Sequence, residues 1–522
     1  MRNMLKSNPV SFRVMGTALC LLGAVAVTHQ DAAAQVARDK AILVASSGQI
    51  NTLDPLRSDY NQTNVPANAL YDTLVVFGKD NNLVGRLAES FKVADDGKSI
   101  AMKLRAGVKF HDGTTLTAKD VAFTLDRLKK LGVGAASLIE GYESTTVNGD
   151  LDLTINLSAP SALFLPALCK IYIVNSALVT ANAGDNDGQT WLQSHDAGSG
   201  PYTVKSFEGQ AVEMVRFDDY WDADPARPEG LVLKRVDESA TKRDELSAGN
   251  LDVGLFLTNR DVVALENDPN LTASWFNSTL QAEIIFNTRV GPTADPRVRK
   301  ALRLAYDYDG GLAAIRLGKG TLANGALPHG IACRPDLPPA RRNVEEAKKL
   351  LAEAGQTNLK LQLSFQPVWE QQKQEATLFQ ANLRDIGVEV ELVPIAFPTY
   401  LASLSDPKTI PQMMLLEDFA QYPDAGIMLM KGYKSDAIGS NRSGYSNPEV
   451  DKLLDQARVT VDDAARCDLY KKVQEIIDND SVMLDMYTLQ RSAVYRKAHV
   501  DGVGPTPQVT PIALSGLRLL AK

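Results

Sequence analysis

The chain has 522 residues, 44% of them hydrophobic and 23% charged, close to the average of soluble globular proteins; wholesale disorder and a collagen-like or coiled-coil build are excluded. At roughly 100–200 residues per domain there is room for about two to four domains, each able to bury a core. With 55 basic against 63 acidic residues the formal net charge is -8, and no Lys/Arg block exceeds a pair such as Arg341-Arg342 or Lys348-Lys349, so no nucleic acid is expected as partner.

Residues 1–34 read as a signal peptide. Arg2, Lys6 and Arg13 form a positive stretch, Val14 to Val27 a short apolar core, and Ala32-Ala33-Ala34 a small-residue cleavage site. The core is too short to span a bilayer, and no later run reaches the roughly 18 apolar residues of a membrane helix. An acylation motif at Cys20 would need leucine at 17 and a small residue at 19; Thr17 and Leu19 stand there, so a lipoprotein is not expected. The expected product is a soluble periplasmic chain cut near Ala34-Gln35. Cleavage leaves 52 basic against 62 acidic residues and three cysteines, Cys169, Cys333 and Cys467. That compartment permits disulfides, the odd count leaves at least one thiol free, and the spacing fits no metal site. Buried small apolar residues are the simplest reading of all three, with any pairing open.

In chain order, Ile100, Met102 and Leu104 alternate with polar neighbours and predict a half-buried strand, and Leu151, Leu153, Ile155 and Leu157 predict another. Between them, Thr117 and Asp120 resemble a capping box before a helix with Val121, Leu125 and Leu128 on one face. Asp295-Pro296 opens a helix carrying Val298, Ala301, Leu302 and Ala305 at i, i+3, i+4 and i+7. The Pro-rich stretch from Leu327 to Pro339 predicts a long irregular loop. Asn343 and Glu346 then cap a helix that Gly355 ends. A helix with Ala376, Phe379, Leu383 and Ile386 stops at Gly387 and runs into the alternating strand 388–392. Asn447-Pro448 opens a helix with Val450, Leu453, Leu454 and Ala457 inward, and Leu469, Val473, Ile476 and Ile477 mark another. Helix, glycine, strand is the grammar of an α/β fold.

A secreted hydrolase is the rival class for an exported chain of this size. There is no G-x-S-x-G, H-E-x-x-H or C-x-x-C, and His111, His195, His329 and His499 lie far apart without metal-ligand spacing. Gly318-Lys319-Gly320 follows a helical stretch and lacks the strand a phosphate loop needs. Asp307-Tyr308-Asp309-Gly310 lacks the further acidic ligands of a calcium loop. No catalytic residue, cofactor or metal is expected.

Several blocks in fixed order resemble the family 5 extracellular solute-binding proteins, the peptide/nickel class of ABC-transporter receptors. They are Leu53-Asp54-Pro55, Tyr71 to Val75, Leu87 to Ser90, Asp96-Gly97-Lys98, Leu104 to Gly113 and Leu116 to Val121. Gly198 to Tyr202, Asp219-Tyr220-Trp221, Leu246 to Asp252, Phe286-Asn287-Thr288, Asp295 to Leu302 and Asn447 to Asp451 follow. The resemblance covers about residues 50–485. It implies a two-lobed periplasmic-binding-protein fold with a type II-like cleft and an extra inserted domain: 35–65, 188–290 and 481–522 forming the first-lobe core, 66–187 the insertion, and 291–480 the second lobe. It also implies a monomer that binds a small-molecule or peptide ligand and delivers it to a membrane ABC permease and its ATPase subunits, without catalysis. A non-peptide solute, sugar-like or opine-like, is the alternative.

The resemblance implies three ligand-contacting segments. They are Ser58, Asp59, Tyr60 and Asn61; then Phe365, Gln366 and Trp369; then a loop often reading Asp-Tyr-Pro-Asp-Pro, here Gln421-Tyr422-Pro423-Asp424-Ala425. Aromatic walls with a few aimed polar groups suit an enclosed ligand. In peptide receptors of this class the first Asp of the third loop can hold the ligand's α-ammonium; Gln421 stands there, with Asp418 and Glu417 as substitutes. The second segment has no Arg for a dipeptide carboxylate, and Lys373 is the nearest cation, so free dipeptides are not expected as the main ligand.

Overall fold

The computed structural model describes residues 36–57, 61–78, 81–406, 408–437, 440–505 and 512–520. The leader, Cys20 and the segment Ser58-Asp59-Tyr60 lie outside the described residues.

The organising element is an eleven-stranded mixed sheet. On one side, strands Lys360–Phe365, Glu389–Pro394 and Met413–Phe419 run parallel. On the other, Ala41–Ser46 lies parallel between Gly230–Arg235 and Val253–Leu255, with Ala211–Arg216 and Tyr202–Glu208 antiparallel at the edge. Two long strands, Leu271–Phe286 and Met483–Arg496, pair with each other and join the sides. Met413 to Leu416 form an unbroken apolar run because helices cover both faces of that strand.

Helices build on the sheet from local signals. Asp295 accepts a hydrogen bond from the N–H of Arg297 (2.8 Å), Pro296 takes the first helical position, and Pro296–Ala305 buries Val298, Ala301, Leu302 and Ala305 completely. Asn343 likewise caps Val344–Glu353 through the N–H of Glu346, and Asn447 caps Pro448–Val459 through that of Glu449. Gly387 adopts φ +78 between helix Glu370–Arg384 and strand Glu389–Pro394, a conformation that favours glycine.

A second, four-stranded antiparallel sheet forms from Ala88–Val93, Ser99–Leu104, Asp152–Leu157 and Tyr142–Val147. Ile100, Met102, Leu104, Leu153, Ile155 and Leu157 point into one core with Val121, Leu125 and Leu128 of helix Ala118–Leu131. The Asp120 carboxylate accepts the N–H of Thr117 (2.8 Å), the reciprocal arm of a capping box.

Residues Leu327 to Pro339 are irregular, as their proline content predicts. Cys333 of this stretch is bridged to Cys467 on helix Asp463–Asn479, while Cys169 is free and buried. One buried apolar thiol and one disulfide therefore resolve what the sequence left open.

Candidate functional site

The two long strands define the site. Leu271–Phe286 pairs with Met413–Phe419 only from Leu280 onward, and Met483–Arg496 pairs with Val253–Leu255 only from Ala493 onward. Strand Gly320–Leu322 pairs with Tyr487 to Leu489, so residues 277–279 and 490–492 cross between the sides with no third strand paired to them. Their pairing slips between Asn277 and Leu280, where the Ser278 hydroxyl donates to the carbonyl of Leu489 (2.6 Å) and accepts from the N–H of Leu280 (3.1 Å). From opposite sides, Met413–Phe419 and Val253–Leu255 run with their C-terminal ends toward this crossover. The crevice beyond the carboxyl ends of parallel strands is where open α/β sheets bind ligands.

An open groove of about 450 Å³ lies instead beside Arg38, Asp39, Gly249, Arg496, Ala498 and His499. It sits at the opposite, N-terminal ends of the parallel strands. The carboxylate beneath it, Asp252, is saturated by Arg38, Arg496 and the N–H of Leu43. That groove is scaffold, and the crossover is the candidate site.

Two predicted segments reach the crossover side. Phe365 ends its strand and is buried in the core with Leu363 and Phe379. Gln366 gives its N–H to the Gln372 side chain (3.0 Å), and partly exposed Trp369 precedes helix Glu370–Arg384, beside Val368 at 73% exposure. In the third segment the Asp418 carboxylate accepts from Lys431 at 2.9 and 3.0 Å and from Arg442 at 3.3 Å. Burial alone would raise its pKa, but the two cations hold it at about 2. The Gln421 side chain is partly buried and makes no hydrogen bond among the described residues. Tyr422 turns away: it is 2% exposed, stacks on Phe77 at 6.2 Å between ring centroids, and joins the core of the four-stranded sheet. Asp424 caps helix Ala425–Tyr433 through the N–H of Gly426 (2.7 Å). In the first segment, Asn61 opens helix Asn61–Leu70.

Of the charged network at this wall, Arg316 and Glu375 were absent from the sequence-based set, and Glu417 was named there only as a substitute for the ammonium-binding carboxylate. Arg316 makes a two-pronged contact with Glu375 (2.7 and 2.9 Å) and a further one with Glu417 (2.7 Å). Asn259 donates to the Arg316 carbonyl at 2.8 Å, tying the network to the strand side that carries Val253–Leu255. Glu375 is fully buried, and burial raises its pKa against the pull of Arg316. Its position was a visible signal: it falls one turn before Phe379, on the apolar stripe of its helix, where a carboxylate needs a partner. Phe256 and Arg491, also missed, carry the inference argued below.

His111 is scaffold. Its ring bonds the Asp196 carboxylate and the Gly200 carbonyl; burial alone would lower its pKa, and Asp196 more than reverses that. Among the described residues, no group of three or more His, Cys, Asp or Glu could hold a metal ion, and no helix is long and apolar enough to cross a membrane.

A sheet shared between two sides, with strand ends converging on a two-strand crossover, defines a two-lobed solute-binding protein. Residues 82–440 match the family described as bacterial extracellular solute-binding proteins, family 5 Middle, and the chain belongs to that family. It is similar to the probable D,D-dipeptide-binding periplasmic protein DdpA of Escherichia coli (strain K12), with 27% identity over 493 residues covering 92% of this chain and 93% of that one. Heme-binding protein A of Haemophilus influenzae (strain ATCC 51907 / DSM 11121 / KW20 / Rd) is 28% identical over 449 residues, covering 80% and 81%. The fold matches that of the ABC transporter-associated periplasmic binding protein DppA from Helicobacter pylori in complex with peptide STSA. The TM-score is 0.82 at 22% identity, covering 92% of this chain and 98% of that one.

Proposed function

We propose that this chain is the periplasmic substrate-binding component of an ABC importer for peptides or peptide-like solutes, monomeric and without a reaction of its own. Its lobes close over a ligand at the crossover, and the closed form docks on a membrane permease with its ATPase subunits. The family supports the receptor role; the D,D-dipeptide-binding relative and the peptide-bound structural neighbour support the ligand class. The observation that carries the reading is the convergence of strand ends on residues 277–279 and 490–492, which supports a hinge and a binding crevice in one place.

In this reading the lobes follow the partition inferred from the sequence. The insertion is 66–187, a reading supported by the one core that apolar residues between Leu74 and Ile173 share, joined by Leu56 and Tyr422. The segments 58–61, 365–369 and 418–424 border the ligand. Mass spectrometry of material carried through native purification from the periplasm tests the ligand class: a peptide supports the reading, and a retained sugar or opine replaces it with the non-peptide one. Release of cleaved products from an added peptide library would instead reveal a hydrolase.

A further inference from the structure

Arg491 lies on the crossover itself, between Leu489 and Ala493 of the long strand Met483–Arg496 and opposite Phe276. Its side chain is partly buried, and among the described residues no carboxylate or carbonyl accepts from its guanidinium. The Phe256 ring, 5.8 Å from the guanidinium carbon, covers it. The carboxylate that acts on it electrostatically is Glu417, whose oxygen already accepts from Arg316. Burial pushes Arg491 down to about 10 against that pull. Five donors in a planar fork thus stand at the crossover without an acceptor from the described residues, accessible to a ligand or to water.

The covering ring is held deliberately. Phe256 has φ +55, a left-handed conformation that an aromatic residue adopts only under backbone strain. The ammonium group of Lys242, itself fully buried, donates to the carbonyls of Leu255 (3.0 Å) and Phe256 (2.9 Å) and to Ser47. Strain clamped in this way, at the end of a parallel strand and over a cation that no described carboxylate or carbonyl engages, marks a functional position.

Building on the peptide reading above, we propose that Arg491, roofed by Phe256, is the anchor for the terminal carboxylate of the ligand. A carboxylate presents two coplanar oxygens to the guanidinium fork, and a bidentate charge-assisted pair in a crevice that closes supplies both affinity and orientation.

The test uses the full mature chain, a tetrapeptide and its C-terminal amide, titrated calorimetrically into wild type, Arg491→Gln and Arg491→Lys. Wild type is expected to bind the free acid at least tenfold more tightly than the amide. Arg491→Gln should erase that preference, chiefly by weakening the acid. Arg491→Lys keeps a point charge without the fork, should retain a reduced preference, and carries the test if the glutamine variant does not fold. Equal binding of acid and amide by wild type overturns the anchor and leaves the peptide reading standing. A preference that survives in Arg491→Gln does the same. Wild type binding neither peptide overturns the peptide reading, and the anchor with it.

Discussion

Three positions separate Asp418 from Gln421, and their surroundings give them opposite electrostatic roles. Asp418 is matched by Lys431 and Arg442, and Asp424 is engaged at a helix start, so neither carboxylate is left to neutralise a ligand ammonium. Gln421 offers an amide that donates and accepts without charge. Gln421→Asp should therefore strengthen binding of free-amine peptides relative to their N-acetylated forms, while wild type discriminates little; calorimetric titration of one such pair decides, and a strong free-amine preference in wild type would reject the argument. Asp485 makes a different prediction. It accepts from Gln281 at 2.9 Å, and burial raises its pKa to about 6, with Arg303 opposing and Asp478 reinforcing. Glu283, paired with it across the strands, is shifted the same way. The folded chain thus holds an extra proton between about pH 4 and 6, and the stability this supplies is full below about pH 4 and lost as pH rises through 6. Asp485→Asn, which keeps the acceptor, should raise unfolding free energy at pH 7 by roughly 2–3 kcal/mol and leave it nearly unchanged at pH 4. Urea denaturation at both values checks this; an equal effect at the two would refute the titration.

At the scale of elements, the bridge between Cys333 and Cys467 closes a separation of 134 residues and pins the irregular stretch to helix Asp463–Asn479, where Gln474 also donates to the Cys333 carbonyl (2.7 Å). Cross-links of long loops typically contribute about 2–4 kcal/mol. Cys333→Ser with Cys467→Ser should lower unfolding free energy by that amount, and reductant should lower wild type to match; unchanged urea midpoints would show the bridge to be energetically idle. Neither partner announced the other, because 134 residues of intervening fold decide which thiols meet. The helices opened by Asp295-Pro296, Asn343 and Asn447-Pro448 were legible because cap, proline and apolar stripe act within a few turns of chain. The same holds for the four-stranded sheet, whose alternation marks one buried face. The crossover was not legible. Strand Leu271–Phe286 changes neighbours midway, so no single periodicity describes it, and the left-handed turn at Phe256 depends on Lys242, fourteen residues earlier. The network of Arg316, Glu375 and Glu417 draws on three separate elements; Glu375 on its apolar stripe hinted at it, and Glu417 was read as a ligand acceptor, not as a partner of Arg316.

Over the whole molecule, Tyr422 shows how a residue at the rim of the crevice acts on closure. It leaves the strand Met413–Phe419, yet buries its ring against Phe77 in the core of the four-stranded sheet and donates to the Leu163 carbonyl at 3.4 Å. Nearby, the N–H of Ala162 donates to the Arg458 carbonyl (2.9 Å), and Arg458 pairs with exposed Glu140 at 3.3 Å. The ring carries most of this contact, since an exposed ion pair contributes little while a fully buried large apolar side chain contributes roughly 1.5–3 kcal/mol. If opening the lobes separates Tyr422 from Phe77, the buried tyrosine ring gives closure that much free energy and half-buried Phe77 a smaller share, and losing the tyrosine lowers apparent ligand affinity by about 10–100-fold. Tyr422→Ala should show this loss, and Phe77→Ala a smaller one in the same direction, although Phe77 lies outside the segments assigned to the ligand. Small-angle scattering should find both variants more open than wild type without ligand and equally compact when saturated. Arg458→Ala should change affinity less than about threefold. If Tyr422→Ala weakens binding while Phe77→Ala leaves it intact, the tyrosine works by touching the ligand, and closure must draw its free energy from elsewhere.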